Sequence, residues 1–177
     1  MLELDAWLEI AKSAALKGGK YLLENQGQEL KILLNEGRDI KLQLDTDTEK
    51  LIKDSLGSQS EFSILGEETG LSNDLGEFYW VVDPLDGTSN FLRDIPISCV
   101  SIALMQNLTP ILGVIYDFNH DDLYFGHLES KAFLNQIEIA VSNYSEKSQS
   151  TLVTGIPAKT HYSDNEFQNM ISDFQQW

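Results

Sequence analysis

The chain has 177 residues, 42% hydrophobic and 23% charged, ordinary usage for a folded domain that can bury a core. Acidic residues outnumber basic ones by 28 to 12, a formal charge of −16, which argues against non-specific attraction to nucleic acid or to an anionic membrane surface. A single cysteine excludes an internal disulfide framework and a zinc site built on cysteines.

The N-terminus carries early acids rather than the basic-then-apolar layout of a signal peptide. No apolar run approaches the ~20 residues of a membrane span, so a soluble cytoplasmic protein is expected. Leu4, Trp7, Leu8, Ala11, Ala14, Ala15, Tyr21 and Leu22 recur at helical spacing and predict an amphipathic helix over about 3–25, with Gly18-Gly19 allowing close packing. Residues 35–39 read as a turn, Ile40 to Leu44 as a strand, and Thr46 to Glu49 as a capping box opening a helix that runs to about Leu56. Asp45 then falls at a strand-to-helix junction. Phe62 to Leu65 and Tyr79 to Val82 predict strands that end in Gly66-Glu67-Glu68 and Asp83-Pro84. Further strands are expected at Val100 to Leu104, Ile111 to Tyr116 and Leu123 to Phe125, a hairpin within 133–141 and a short strand at Thr151 to Gly155. Cys99, within Ile97 to Ile102, which also reads as a strand, is expected to be a buried, inert thiol, and His120, His127 and His161 to be turn or surface residues. Phe167, Met170, Ile171, Phe174 and Trp177 mark one face of a terminal helix. The order predicts an α+β fold, helices layered on a largely antiparallel sheet. The chain stops on the apolar side of its last helix, as a cut would leave it.

Chemistry concentrates in Trp80 to Phe91. An apolar strand delivers Asp83, Pro84 fixes the turn, and Asp86 follows three positions on. Gly87 permits close backbone approach, and Thr88-Ser89 opens a short helix whose N–H groups favour an anion. Carboxylates and an anion cradle in one turn suit metal-assisted phosphoryl chemistry with Mg²⁺ or Mn²⁺. Taken alone the segment reads equally as a plain Asp-Pro-x-Asp-Gly turn. Two more acidic strand ends, at Glu67-Glu68 and Asp45, favour the metal site.

The spacing Asp45, Gly66-Glu67-Glu68 and Asp83-Pro84-Leu85-Asp86-Gly87-Thr88-Ser89-Asn90-Phe91 resembles the inositol monophosphatase family, as do Pro96 to Leu104 and Gly113 to Asp117. The resemblance implies a sugar-phosphatase, fructose-bisphosphatase-like fold. It implies hydrolysis of a small phosphomonoester, inositol monophosphate first, with 3′(2′),5′-bisphosphate nucleotides and histidinol phosphate as rivals. Two or three Mg²⁺ ions, with Mn²⁺ as a substitute, are implied: Glu67, Asp83 and the Leu85 carbonyl for the first, Asp83 and Asp86 for the second, Glu67 again for a third. Asp45 and Thr88 would activate the attacking water, and Glu67, Asp86, Gly87, Thr88 and Ser89 would meet the substrate. Partners implied are a small phosphorylated metabolite and, for the full-length protein, a second copy of itself; neither nucleic acid nor membrane is expected.

The family's Trp-Asp-x-Ala segment, which completes the second metal site, has no counterpart before Trp177, and Asp164 and Asp173 are poor substitutes. The expected organisation is therefore a metal-binding region over 1–155 and, over 156–177, a terminal helix beginning an absent α/β half. A remnant that binds metal or pairs without turnover is the alternative of another class.

Overall fold

A computed structural model describes residues 3–28, 31–36, 39–143, 146, 151 and 163–175. The chain falls into two units, Met1–Ala140 and Val141–Trp177.

The first unit opens with helix α1 (Leu4–Asn25), whose inward stripe is Leu4, Leu8, Ala11, Ala14, Ala15, Gly18, Gly19 and Leu22. The small residues let it lie close to its neighbours. A Cβ on Gly18 would come within 2.8 Å of Ile52, and one on Gly19 would collide with the Tyr116 ring. In an exposed helix, Gly→Ala stabilises by up to about 1 kcal/mol. Here the sign is expected to reverse: Gly19→Ala should lower stability by about 1–3 kcal/mol through overpacking. Urea denaturation measures it, and an unchanged or raised midpoint would refute the close packing.

Strands β1 (Ile32–Glu36) and β2 (Asp39–Leu42) form a separate antiparallel pair. Helix α2 (Gln43–Gly57) follows at once. The predicted strand through Leu44 is thus too long, and the Thr46–Glu49 capping box does not form. Asp45 Oδ2 accepts the Leu42 N–H (2.9 Å), which caps the helix four residues earlier, and Thr48 Oγ1 donates to Leu44 O (2.7 Å). Glu49 turns inward instead of capping.

The main sheet comprises β3 (Ser63–Gly66), β4 (Gly70–Leu71), β5 (Phe78–Asp86), β6 (Cys99–Gln106), β7 (Thr109–Asp117), β8 (Asp122–His127), β9 (Ala132–Leu134) and β10 (Ile137–Ile139). Their spatial order is β10-β9-β8-β7-β6-β5-β3-β4. Every pairing is antiparallel except β3 with β5, which is parallel. The two-residue β4 carries no alternation for a sequence to show. Between β5 and β6 lies the short helix α3 (Thr88–Phe91). Helices α1 and α2 pack together on one sheet face: α1 over β6, β7 and β8, α2 over β5. Val82, Val100, Ile102, Leu104 and Val114 fill that interface. Trp80 is fully buried beside the aromatic group of Trp7, Phe62 and Phe78, and its indole N–H donates to Ser60 Oγ (2.9 Å). This is the α+β layering that the element order predicts.

His127 corrects an expectation: it lies on β8 with its side chain 5% exposed, its Nε2 3.0 Å from Asp5. His120 sits in a turn beside Asp117 as expected, and His161 lies outside the described residues.

In the second unit, α4 (Asp164–Gln175) is the predicted terminal helix, capped by a reciprocal Ser163–Glu166 pair, with Phe167 exposed. The side chains of Met170 and Phe174, residue Trp177 and most of the strand predicted at 151–155 lie outside the described residues. No helix among the described residues is long and apolar enough to cross a membrane.

Candidate metal centre

Sheet pairing decides where the acids at the strand ends go. β3 and β5 run parallel with Gly66 beside Val82, and the Glu67 N–H donates to Val82 O (3.1 Å). One further step along the ladder sets Glu67 next to Asp83, close enough for its carboxyl to act directly on that of Asp83. On its other edge β5 meets β6, with Asp83 opposite Ser101 and Asp86 opposite Cys99. Three steps on β5 thus match two on β6, so β5 carries one extra residue, a bulge. Residues three apart on a regular strand face opposite sides; the extra residue returns Asp86 to the side of Asp83.

The turn that follows is tightly tied. Asp83 Oδ1 accepts the Leu85 N–H (3.1 Å), and Thr88 Oγ1 donates to Leu85 O (3.1 Å). Gly87 sits in the left-handed region at φ +91°, and its carbonyl accepts the N–H groups of Asn90 and Phe91 (2.8 and 2.9 Å). Ser89 offers both its carbonyl and its hydroxyl to Arg93 Nη1 (2.8 and 2.6 Å). Asp45 is 1% exposed at the start of α2, and β2, which leads into it, lies against α3.

The structure therefore joins Glu67 to Asp83 and Leu85 to Thr88, and puts Asp86, Gly87 and Ser89 in the same turn. Asp45 stands on the adjoining element. Among the described residues no three acid, histidine or cysteine side chains form a ready coordination shell. Three like charges at close quarters repel, and the acids instead meet as a pair with Asp86 acting at longer range.

Asp83 shows the cost of that arrangement. Burial, the hydrogen bond to Glu67, the Glu67 charge and the Asp86 charge push its carboxyl up from 3.8 to about 7, against the Leu85 N–H. The donor set of hard oxygens with surplus negative charge fits a divalent cation such as Mg²⁺ or Mn²⁺. Because its folded pKa lies above the unfolded value, the contribution of Asp83 to metal-free stability is greatest at low pH and declines as pH rises from about 4 to about 7. A bound cation removes that repulsion. The rise in melting temperature on adding Mg²⁺ is therefore expected to grow between pH 5 and 8. A shift that is flat or shrinks over this range would contradict the shared site.

Cys99 is half-buried rather than buried, its Sγ 3.9 Å from Asp86 Oδ2. Burial first, then the charges of Asp86, Asp83 and Asp117, push its thiol up to about 11, which leaves little thiolate near neutral pH. Glu49 is the residue that sequence reasoning placed wrongly. It is a fully buried acid one helical turn after Asp45, on the same α2 face as Leu44, Thr48 and Ile52, and that spacing was the available signal.

The model of the inositol monophosphatase family matches residues 3–176. The chain belongs to the inositol monophosphatase family. It is 33% identical over 176 residues to a protein of Aquifex aeolicus named fructose-1,6-bisphosphatase/inositol-1-monophosphatase, covering 98% of this chain and 67% of that one. The solved structure of the extragenic suppressor protein suhB from Bartonella henselae superposes with TM-score 0.73 at 34% identity, covering 77% of this chain and 54% of that one. A solved IMPase/NADP phosphatase complexed with Mg²⁺ and phosphate gives TM-score 0.60 at 26% identity, covering 70% and 48%. This inositol monophosphatase family chain spans about half to two thirds of the length of such relatives, and its layered α+β fold is theirs.

Proposed function

We propose that the protein carrying this chain hydrolyses a small phosphomonoester with water, using Mg²⁺ held by Glu67, Asp83 and Asp86. The observation that supports this most directly is the pairing of Glu67 with Asp83, with Asp86 turned to the same side by the bulge. A chain of charge −16 would repel a phosphate unless cations reversed the local field.

Glu67 and Asp83, with the Leu85 carbonyl, would hold one ion; Asp83 and Asp86 would share a second, and Glu67 would contribute to a third. Mn²⁺ would suit the same oxygens. When bound, such ions neutralise phosphate oxygens, make water nucleophilic at neutral pH and stabilise the leaving alkoxide. Thr88 and Asp45 would orient the attacking water, with Asp45 taking its proton. The Thr88 hydroxyl donates to Leu85 O and so keeps its lone pairs for a water proton. Gly87 takes the left-handed backbone of the turn, and the N–H groups of 87–89 would meet phosphate oxygens. Ser89 would act through its N–H, since Arg93 engages its hydroxyl.

Inositol monophosphate is the substrate proposed first, with adenosine 3′,5′-bisphosphate, histidinol phosphate and fructose 1,6-bisphosphate as rivals. The full-length protein is proposed to be a cytoplasmic homodimer. The test is phosphate release from these four compounds with and without Mg²⁺. Mg²⁺-dependent turnover of one of them supports the reading. Mn²⁺ uptake without turnover of any would reduce the protein to a metal-binding module.

A further inference from the structure

Glu49 carries out a task that the metal-site reading leaves unassigned. Its carboxylate is fully buried, yet it meets donors on every side. Oε2 accepts the Glu68 N–H (2.8 Å); Oε1 accepts the Thr69 N–H (3.1 Å), the Thr69 hydroxyl and Lys53 Nζ (3.1 Å). Burial alone would raise its pKa, but the bonds from Thr69, Glu68 and Lys53 outweigh that and hold it below the usual range.

The bonded groups are the backbone of the turn that carries Glu67. That turn joins β3 to β4, and it is fixed at each residue: Glu67 N–H on Val82 O, Glu68 and Thr69 N–H on Glu49. Lys53, one turn further along α2, closes the far side on Thr69 Oγ1 (2.6 Å) and Gly70 O (3.0 Å). The glycine before Glu67 follows from the same arrangement, since a Cβ on Gly66 would overlap the Glu49 carboxyl group. Gly66 is absent of side chain because Glu49 occupies that space.

We infer that Glu49 is a positioning residue for the metal centre: from α2 it fixes the turn that sets the Glu67 carboxylate beside Asp83. This rests on the metal-site reading above. Groups that orient metal ligands without touching the ion typically change affinity by about 10–100-fold when altered. A carboxylate is required, because a glutamine at 49 would present an N–H₂ group to one of these donors.

The test is Mn²⁺ binding to the full protein, read from the paramagnetic resonance signal of the unbound ion, beside the metal-free melting temperature. Glu49→Gln is expected to bind Mn²⁺ about tenfold or more weakly while still folded at the assay temperature. Gly66→Ala, which displaces the same carboxylate, should weaken binding in the same direction. Leu22→Ala, a fully buried α1 residue outside the site, should lower the melting temperature and leave Mn²⁺ affinity unchanged. That contrast separates positioning from general stability. Folded Glu49→Gln with wild-type affinity overturns the inference. Should Glu49→Gln fail to fold, Thr69→Val removes one donor and leaves the carboxylate in place; a loss of about threefold or more is then expected, and unchanged affinity overturns the inference. A wild-type protein that takes up no Mn²⁺ overturns the metal-site reading as well, whereas a wild type that binds beside unaffected variants overturns only the role of Glu49.

Discussion

An Asp83→Asn variant is expected to lose at least about a hundredfold in phosphomonoesterase rate, since several kcal/mol of metal activation would go and each ~1.4 kcal/mol is tenfold. Both Glu67 and Asp86 act on Asp83, so it is the natural shared ligand. An amide is a poorer ligand and carries no charge with which to bridge two cations. The same substitution should have the opposite effect on the metal-free fold. Above pH 7 the charged Asp83 opposes Glu67 and Asp86, and asparagine ends that repulsion, so the metal-free melting temperature should rise at pH 8. A rate above about a tenth of wild type would remove Asp83 from the mechanism. A fall in metal-free stability at pH 8 would show that its charge is already compensated.

Gly87→Ala is expected to do the second-largest damage. The residue has φ +91°, where a side chain is strained, and a Cβ there would lie 2.7 Å from Ile97 O and 3.2 Å from Ser98 Cα. Those are largely backbone atoms that cannot rotate away. Left-handed strain and the clash together should cost about 2–4 kcal/mol. Asp86 and Thr88 flank the position, so the Mg²⁺ concentration needed for half-maximal activity should rise with the loss of stability. Denaturation midpoints and Mg²⁺ titrations measure both. A stable variant with normal Mg²⁺ dependence would mean that the turn's conformation is not required.

The sequence showed the strands of this unit because they alternate. Val100, Ile102 and Leu104 point to the helices, and the residues between them do not. The same pleat explains the miss at Cys99, which falls on the other side from Val100 and is only half-buried. Acids at strand ends were legible because each closes an apolar run. Their pairing was not. That Glu67 meets Asp83 depends on β3 and β5 running in the same direction, and an element order dominated by antiparallel neighbours gives no local sign of it. The start of α2 was misplaced because Leu42-Gln43-Leu44 alternates like a strand, whereas the Asp45 carboxylate captures the Leu42 N–H and begins the helix. Glu49 was hidden for a similar reason: its partners lie 19 and 20 residues further along the chain.

The extra residue in β5 has a bearing on which changes of chain length the protein can absorb. The connection from β4 to β5 is exposed at Leu75 and Gly76, and the alignment of β3 with β5 is set by their own ladder. An insertion at 75–76 would lengthen a loop and leave every acid where it is. Deletion of Leu85 is the same size of change and has a different result. It would make the β5–β6 ladder regular and keep Asp86 on the side of Asp83, but it would remove the buried residue whose N–H is held by Asp83 and whose carbonyl holds the Thr88 hydroxyl. Insertions and deletions drawn at random along this gene should therefore sort by the backbone ties they remove rather than by their length.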